Sequence, residues 1–358
     1  MRATSWAVAA ALTGAVVMVP VALGEAGPGG PVFTAVSGRP APAAPAPPAV
    51  SATPPTATGP TASTAPASAP AAAVGSPAGP VSPLTGLPGG AGRVLAVKVD
   101  NVGAAQTEQL GLNAADVVYV LQVEGGLSRY LAVFDSAHAP SRVGPVRSAR
   151  QSDIPLLAAY GRVGLVYSGA ISGLLPDLAR ANLVGVTPDS GLFSDGGLMP
   201  TYIGPAQVFA AHPGLARAKD VGFTFGPEPA AGAAAGRVTV NMPAAAFTFT
   251  FAASGSRWLV SVNGHPAAPA DQGRLTTANV IVQHVAVVPG AYTDHNAGRP
   301  DNEVVSVTTG QGAADFYRDG RVWHGRWSKP ADTAPTSYTV NGAPMRLRPG
   351  RTWVVLVP

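Results

Sequence analysis

Apolar and polar positions change rhythm several times along the chain. Arg93-Val-Leu-Ala-Val-Lys-Val-Asp100 alternates, which predicts a strand. Asp116-Val-Val-Tyr-Val-Leu-Gln-Val123 is a near-continuous β-rich run, as expected of a strand covered on both faces. Ser128 to Phe134 predicts a third strand. Over Gln151 to Tyr160 (QSDIPLLAAY) the spacing turns helical, with Ser152 placed to cap the helix and Asp153 in its first turn. Gly164 to Tyr167 predicts a short buried strand. Ser172 to Ala181 predicts a helix interrupted near Pro176, and Pro205 to Ala211 one with proline at its first position. Strands alternating with helices predict an α/β layer domain.

Beyond Arg237 the rhythm is that of strands. Phe247-Thr-Phe-Thr-Phe251 alternates strictly, and Trp258 to Val262 leads into the hairpin signal Asn263-Gly264. Asn279 to Val288, Val304 to Val307 and Thr352 to Val357 predict further strands, with hairpins at Asp319-Gly320 and Asn341-Gly342. The expected fold class is therefore α+β / α/β. A mixed α/β layer domain over 81–230 is followed by a small antiparallel β-rich domain over 235–358.

Upstream the pattern disappears. Arg2 precedes an apolar run from Trp6 to Leu23, and Ala22-Leu23-Gly24 ends it with small residues at alternate positions. This predicts an export signal over 1–24, cleaved or retained as an anchor. From Pro40 to Gly92 there is no charged side chain, and Ala, Pro, Ser, Thr and Gly dominate. Such a stretch lacks the apolar groups that offset chain entropy, so residues 25–80 are expected to form a disordered linker.

Composition narrows the chemistry further. The 358 residues contain no cysteine, which excludes disulfides, thiolate metal sites and lipid attachment through cysteine. The net charge of +4 comes without any block of Lys and Arg, so a nucleic-acid groove is not expected. The six histidines form neither HxxxH nor HExxH. Asp294-His295-Asn296 with Asp301 reads as turn residues before metal ligands. No cofactor motif is present, and GxSxG and the phosphate loop are both missing.

The densest polar cluster joins Glu124-Gly-Gly-Leu-Ser-Arg129 to Arg142-Val-Gly-Pro-Val-Arg147-Ser-Ala-Arg150. Gly125-Gly126 makes a tight connection that can expose backbone N–H groups. Arg147 and Arg150 lie just before a helix start, where cations and orphan N–H groups favour an anion. The structural reading has Arg147 or Arg150 pairing with Glu124 or Asp153 and pinning the loop. Asp100-Asn101 ends the first strand, where α/β sheets tend to bind ligands. Asp100 and Glu124 could work as an acid/base pair, whereas an Asp capping the next turn is the simpler reading. Trp323 and Trp327, four apart on one strand face, either stack a sugar or cover a core.

These same segments resemble a known family, the YerB-like lipoproteins. The resemblance rests on Ser82-Pro-Leu-Thr-Gly-Leu87, Leu95-Ala-Val-Lys-Val-Asp-Asn101, Leu112-Asn-Ala-Ala-Asp-Val-Val-Tyr119, Val123-Glu-Gly-Gly-Leu-Ser-Arg129 and Val143-Gly-Pro-Val-Arg-Ser-Ala-Arg150. It continues in Asn279-Val-Ile-Val282, Gly310-Gln-Gly312, Trp327-Ser-Lys329 and Gly350-Arg-Thr-Trp353. It implies an exported cell-envelope protein and implies no reaction. The family pattern carries a lipid-anchoring cysteine, a histidine where this chain has Tyr167, and Pro-His-Asn where it has Pro200-Thr-Tyr202. Asp100, Asn101, Glu124, Arg129, Arg147 and Arg150 match the pattern, so a shared ligand site is expected there.

The leading expectation is a non-catalytic envelope protein on the outer side of the cytoplasmic membrane. Arg147 and Arg150 would clamp an anionic ligand, a peptidoglycan stem carboxylate or a polyprenyl phosphate. Arg129 would assist, and Asp100, Asn101 and Glu124 would orient the arginines or the ligand. The first alternative is an envelope hydrolase or transferase using Asp100 or Glu124 as base. The second is a scaffold whose β domain docks a partner protein. Membrane contact is expected only through an uncleaved N-terminal segment.

Overall fold

The computed structural model describes residues 79–194, 201–269, 273–294 and 301–358. The expected signal and nearly all of the expected linker lie outside these residues. Among the described residues no helix is long and apolar enough to cross a membrane. The uncharged stretch is ordered before it ends. Val81 bridges Pro88 and Leu84 is fully buried in the core, so residues 81–92 belong to the folded unit despite their lack of charge.

The fold is a strand-rich α/β mixture with few helices and several sheets. We number the main elements β1 (Val94–Asp100), β2 (Val117–Gln122), β3 (Ser128–Asp135), α1 (Asp153–Ala158), β4 (Val163–Val166), α2 (Leu175–Arg180), β5 (Leu183–Val186) and α3 (Pro205–Ala211). They continue with β6 (Arg237–Met242), β7 (Ala245–Ala252), β8 (Arg257–Val262), β9 (Asn279–His284), β10 (Val287–Asp294), β11 (Asp301–Ser306), β12 (Gly310–Arg318), β13 (Arg321–Lys329), β14 (Ser337–Val340) and β15 (Thr352–Val357).

One twelve-stranded sheet runs through both halves of the chain. From β14 its order is β13, β12, β9, β15, β2, β3, β1, β4, β5. β15 lies parallel to both β9 and β2. The expected antiparallel sheet of the second half therefore needs correction. β15 is buried along its whole length, and a strand apolar on both faces needs a neighbour on each edge. The adjoining strands β9, β12, β13 and β14 are antiparallel as expected.

Period-2 alternation divides each central strand between two cores. Leu95, Val97, Val99, Val118, Val120, Trp353 and Val355 face a second sheet, β6-β7-β8. Tyr130 meets Phe247 edge-on at 6.2 Å between ring centroids, and Trp353 meets Phe249 at 5.9 Å. Val94, Ala96, Val117, Tyr119, Val354 and Leu356 face Leu156 and Leu157 of α1 and Leu178 of α2. The Tyr119 and Tyr160 hydroxyls bond at 2.8 Å and tie β2 to the α1 side.

Two helix expectations change in detail. α1 is shorter than expected, and Ser152 makes no cap. Its Oγ accepts instead from the Ser306 N–H of β11 at 3.0 Å. The segment from Ser172 opens as a 3-10 turn over Ser172–Leu174 and becomes α-helical only at Leu175. Asn263-Gly264, Asp319-Gly320 and Asn341-Gly342 all carry positive φ at both residues, the conformation that two-residue hairpins require.

Candidate functional site

The polar cluster assembles where β1 and β2 end and β3 begins. Asp100 and Arg129 are direct cross-strand partners in the β1–β3 register, and Arg129 Nη1 lies 3.2 Å from Asp100 Oδ1. The segment after Gly144 runs beside the end of β1. Asp100 N–H donates to the Pro145 carbonyl at 2.9 Å, and Arg147 N–H donates to that of Lys98 at 2.9 Å. This pairing brings Arg147 Nε to Asp100 Oδ2 at 2.6 Å. The Arg147 side chain is 39 % exposed, and neither terminal nitrogen makes a described hydrogen bond. It opens on a cleft of about 220 Å³ lined also by Val102, Ala105, Glu108, Pro145 and Thr201.

Arg150 is placed differently. Its guanidinium meets Glu124, with Nε 2.5 Å from Oε1 and Nη2 donating to Oε2 at 2.6 Å. Its Nη1 donates to the Ala149 carbonyl, and its backbone N–H donates to Asp153 Oδ2 at 2.7 Å. The other Asp153 oxygen accepts from Lys98 Nζ at 2.9 Å, and both of these side chains are fully buried. Burial pushes the Lys98 ammonium below the ordinary lysine range, against the pull of Asp153. From the far half of the chain, Glu303 of β11 enters the same cluster. Its Oε1 accepts the Gln151 N–H at 2.6 Å. Its Oε2 finds no partner among the described residues. Burial raises the Glu303 carboxyl, opposed by the Gln151 N–H and the Arg150 charge.

The structure therefore brings together Asp100, Glu124, Arg129, Arg147 and Arg150. It adds Lys98 and Glu303, which the sequence reading did not include, and Asp153, which that reading offered only as an arginine partner. Four cations meet four carboxylates, so the cluster is close to neutral. Arg150 and Glu124 form the structural pair that the sequence left open, and the guanidinium has no nitrogen turned to a ligand. Asp100 and Glu124 are each held by arginine. Asn101 is also committed: its Nδ2 donates to Ser128 Oγ, and its Oδ1 accepts from Gln109. The Gly125-Gly126 turn has left-handed φ of 63° and 71°. A Cβ on Gly126 would stand 2.6 Å from Pro243. The turn thus packs on the second sheet instead of opening to a ligand.

The other candidates resolve as follows. Trp323 and Trp327 are each 3 % exposed, and their indole N–H groups donate to the carbonyls of Ala230 and His284. They are core side chains, not a sugar platform. His295 and Asn296 lie outside the described residues. Tyr167 is buried, and the Tyr202 hydroxyl donates to the Glu108 carbonyl at 2.8 Å. Pro200 is not among the described residues.

Two family profiles match the chain in order. The N-terminal domain described as a protein of unknown function, DUF3048, covers residues 84–196, and the C-terminal domain of the same description covers 238–354. The chain belongs to the DUF3048 family. Within that family it resembles YerB of Bacillus subtilis (strain 168), whose name describes it as a candidate lipoprotein. The two are 37% identical over 104 residues, 28% of this chain and 30% of YerB. That alignment spans less than a third of the relative. The crystal structure of YerB from the same organism matches with a TM-score of 0.64 and 21% identity, covering 78% of this chain and 96% of that one. At that identity the likeness shows the DUF3048 fold.

Proposed function

We propose that this DUF3048 protein is an exported, cell-envelope protein that binds a ligand at the Arg147 cleft without turning it over. The observation that carries this reading is the state of the Arg147 guanidinium. Asp100 holds it by Nε alone, so its two terminal nitrogens are oriented and unspent, the geometry that takes a carboxylate bidentately. Glu108 lines the same cleft, and Asp100 is already balanced by Arg129. A cleft with two unspent guanidinium nitrogens and one carboxylate suits a ligand bearing both a carboxylate and an ammonium. A peptidoglycan stem peptide has that chemistry, and it fits better than the polyprenyl phosphate considered from the sequence. The envelope location follows from the family resemblance and the apolar N-terminal run.

The test is co-sedimentation of the purified protein with intact peptidoglycan sacculi, with mass spectrometry of the supernatant. The native protein is expected in the pellet with no fragments released. Arg147→Gln, which leaves Asp100 paired with Arg129, is expected to weaken retention about tenfold, the loss of one charge-assisted contact. Retention unchanged in Arg147→Gln, with a lowered melting temperature, would make the arginine structural. Released muropeptides would reinstate the hydrolase.

A further inference from the structure

The opposite ends of the same strands carry a second, different cavity. It encloses about 410 Å³ where β2 and β15 begin. Arg257 enters from the β7–β8 hairpin, and Arg348 and Arg351 from the loop before β15. His138 and Asp116 face it from the N-terminal half. The arginines here are not balanced as they are around Asp100. Arg348 is held by Asp319 at 2.5 Å, but Asp319 already serves Arg318 at 2.7 Å. Arg351 donates to Thr276 Oγ1 at 2.9 Å and has no carboxylate partner among the described residues. Arg257 has none either. Burial and the Arg257 charge together hold the Arg351 guanidinium below its ordinary range. Among the described lining residues the single carboxyl is Asp116, whose Oδ2 accepts from the Asp135 N–H at 2.6 Å.

Three guanidinium groups line this cavity against one carboxyl, Asp116, which partly offsets Arg351, and the remaining positive charge is one that a bound anion relieves. The turn geometry supports this use. Gly255 and Ser256 adopt φ of 86° and 46°, and a Cβ on Gly255 would stand 2.5 Å from Arg257 Nη2. The guanidinium thus folds back over its own turn, at the cavity wall. Three guanidinium groups from two chain segments line one cavity, a donor set suited to the several oxygens of a tetrahedral oxyanion.

We propose that this cavity is a phosphoryl-binding site, with Arg257 and Arg351 as its principal donors and Arg348 in support. Its volume admits a phosphate with a small organic substituent. The ligand is a soluble phosphate monoester or the exposed headgroup of a phospholipid, which share this chemistry.

The test is isothermal titration of the purified protein with inorganic phosphate and with glycerol 3-phosphate at constant ionic strength. Flotation with phosphatidylcholine vesicles, with and without phosphatidic acid, runs in parallel. Saturable phosphate binding is expected. Arg257→Gln should weaken it about tenfold and leave the melting temperature unchanged, because this side chain is exposed. Arg237→Gln, an exposed arginine of β6 outside the cavity, should bind as the native protein does and controls for net charge. Glycerol phosphate binding without flotation assigns a soluble ligand. Flotation only with phosphatidic acid, lost in Arg257→Gln, assigns a headgroup. No saturable binding of either kind, or equal binding by Arg257→Gln and the native protein, overturns the site.

Discussion

Replacing Asp153 by alanine is expected to cost the fold about 3 to 5 kcal/mol, a large part of the stability of an ordinary domain. Lys98 and Asp153 are both fully buried and bond to each other at 2.9 Å. Removing the carboxylate leaves an ammonium in the core with no counter-charge, which must stay charged at high cost or give up its proton. The variant also strips the Arg150 N–H of its acceptor, so the approach to α1 loses its anchor. A second substitution should reverse much of this. In Lys98→Met with Asp153→Ala no buried charge is left unpaired, and an apolar side chain occupies the lysine's space. Urea unfolding of the single and double variants measures both effects. A single-variant loss below roughly 1 kcal/mol, the level of a surface pair, would show that solvent reaches Lys98.

Asp116 gives the second large effect, with the opposite sign. Burial raises its carboxyl from 3.8 to about 6, opposed mainly by the Asp135 N–H. The folded protein therefore binds more protons than the unfolded chain between about pH 4 and 6. Stability falls as pH rises through that window and stays lower above it. Asp116→Asn keeps an oxygen for the Asp135 N–H and removes the titration. At pH 7 it is expected to be more stable than the native protein by about 2 to 3 kcal/mol. At low pH, with the aspartate protonated in both states, the two should converge. Other groups, including the raised Glu303, titrate alike in both proteins, so the difference between their curves isolates Asp116. An Asn variant no more stable at pH 7 would place solvent at this carboxylate.

What could be read from the sequence was mostly local. The run Thr352 to Val357 specified its strand to the residue because six buried positions in a row suit nothing else of that length. Its neighbours were beyond reach, since no pattern within the strand says whether β2 will take its free edge. The hairpin dipeptides were equally legible because their turn fixes φ locally. Site residues divided in the same way. Asp100 ends one strand and Arg129 opens another, positions that the strand pattern marks, and the β1–β3 register with the loop through Arg147 gathers them. Glu303 joins them from 152 residues beyond Gln151, through a bond to a backbone N–H that leaves no side-chain signature. Lys98 was hidden for a different reason. It shares a strand face with Asp100, and that face is ordinarily read as solvated, whereas α1 lies over it and seals it from water.

The position of β15 has a consequence for how the protein comes into being. β2 pairs with β3 on one edge as soon as that hairpin is made, but its other edge is completed only by residues near 352. Throughout synthesis of the intervening chain, β2 presents an open row of donors and acceptors. Such an edge can recruit a wrong strand from the same chain or a neighbouring one. Maturation is thus a race between the arrival of one late segment and mispairing, and long-range closure of this kind is intrinsically slow.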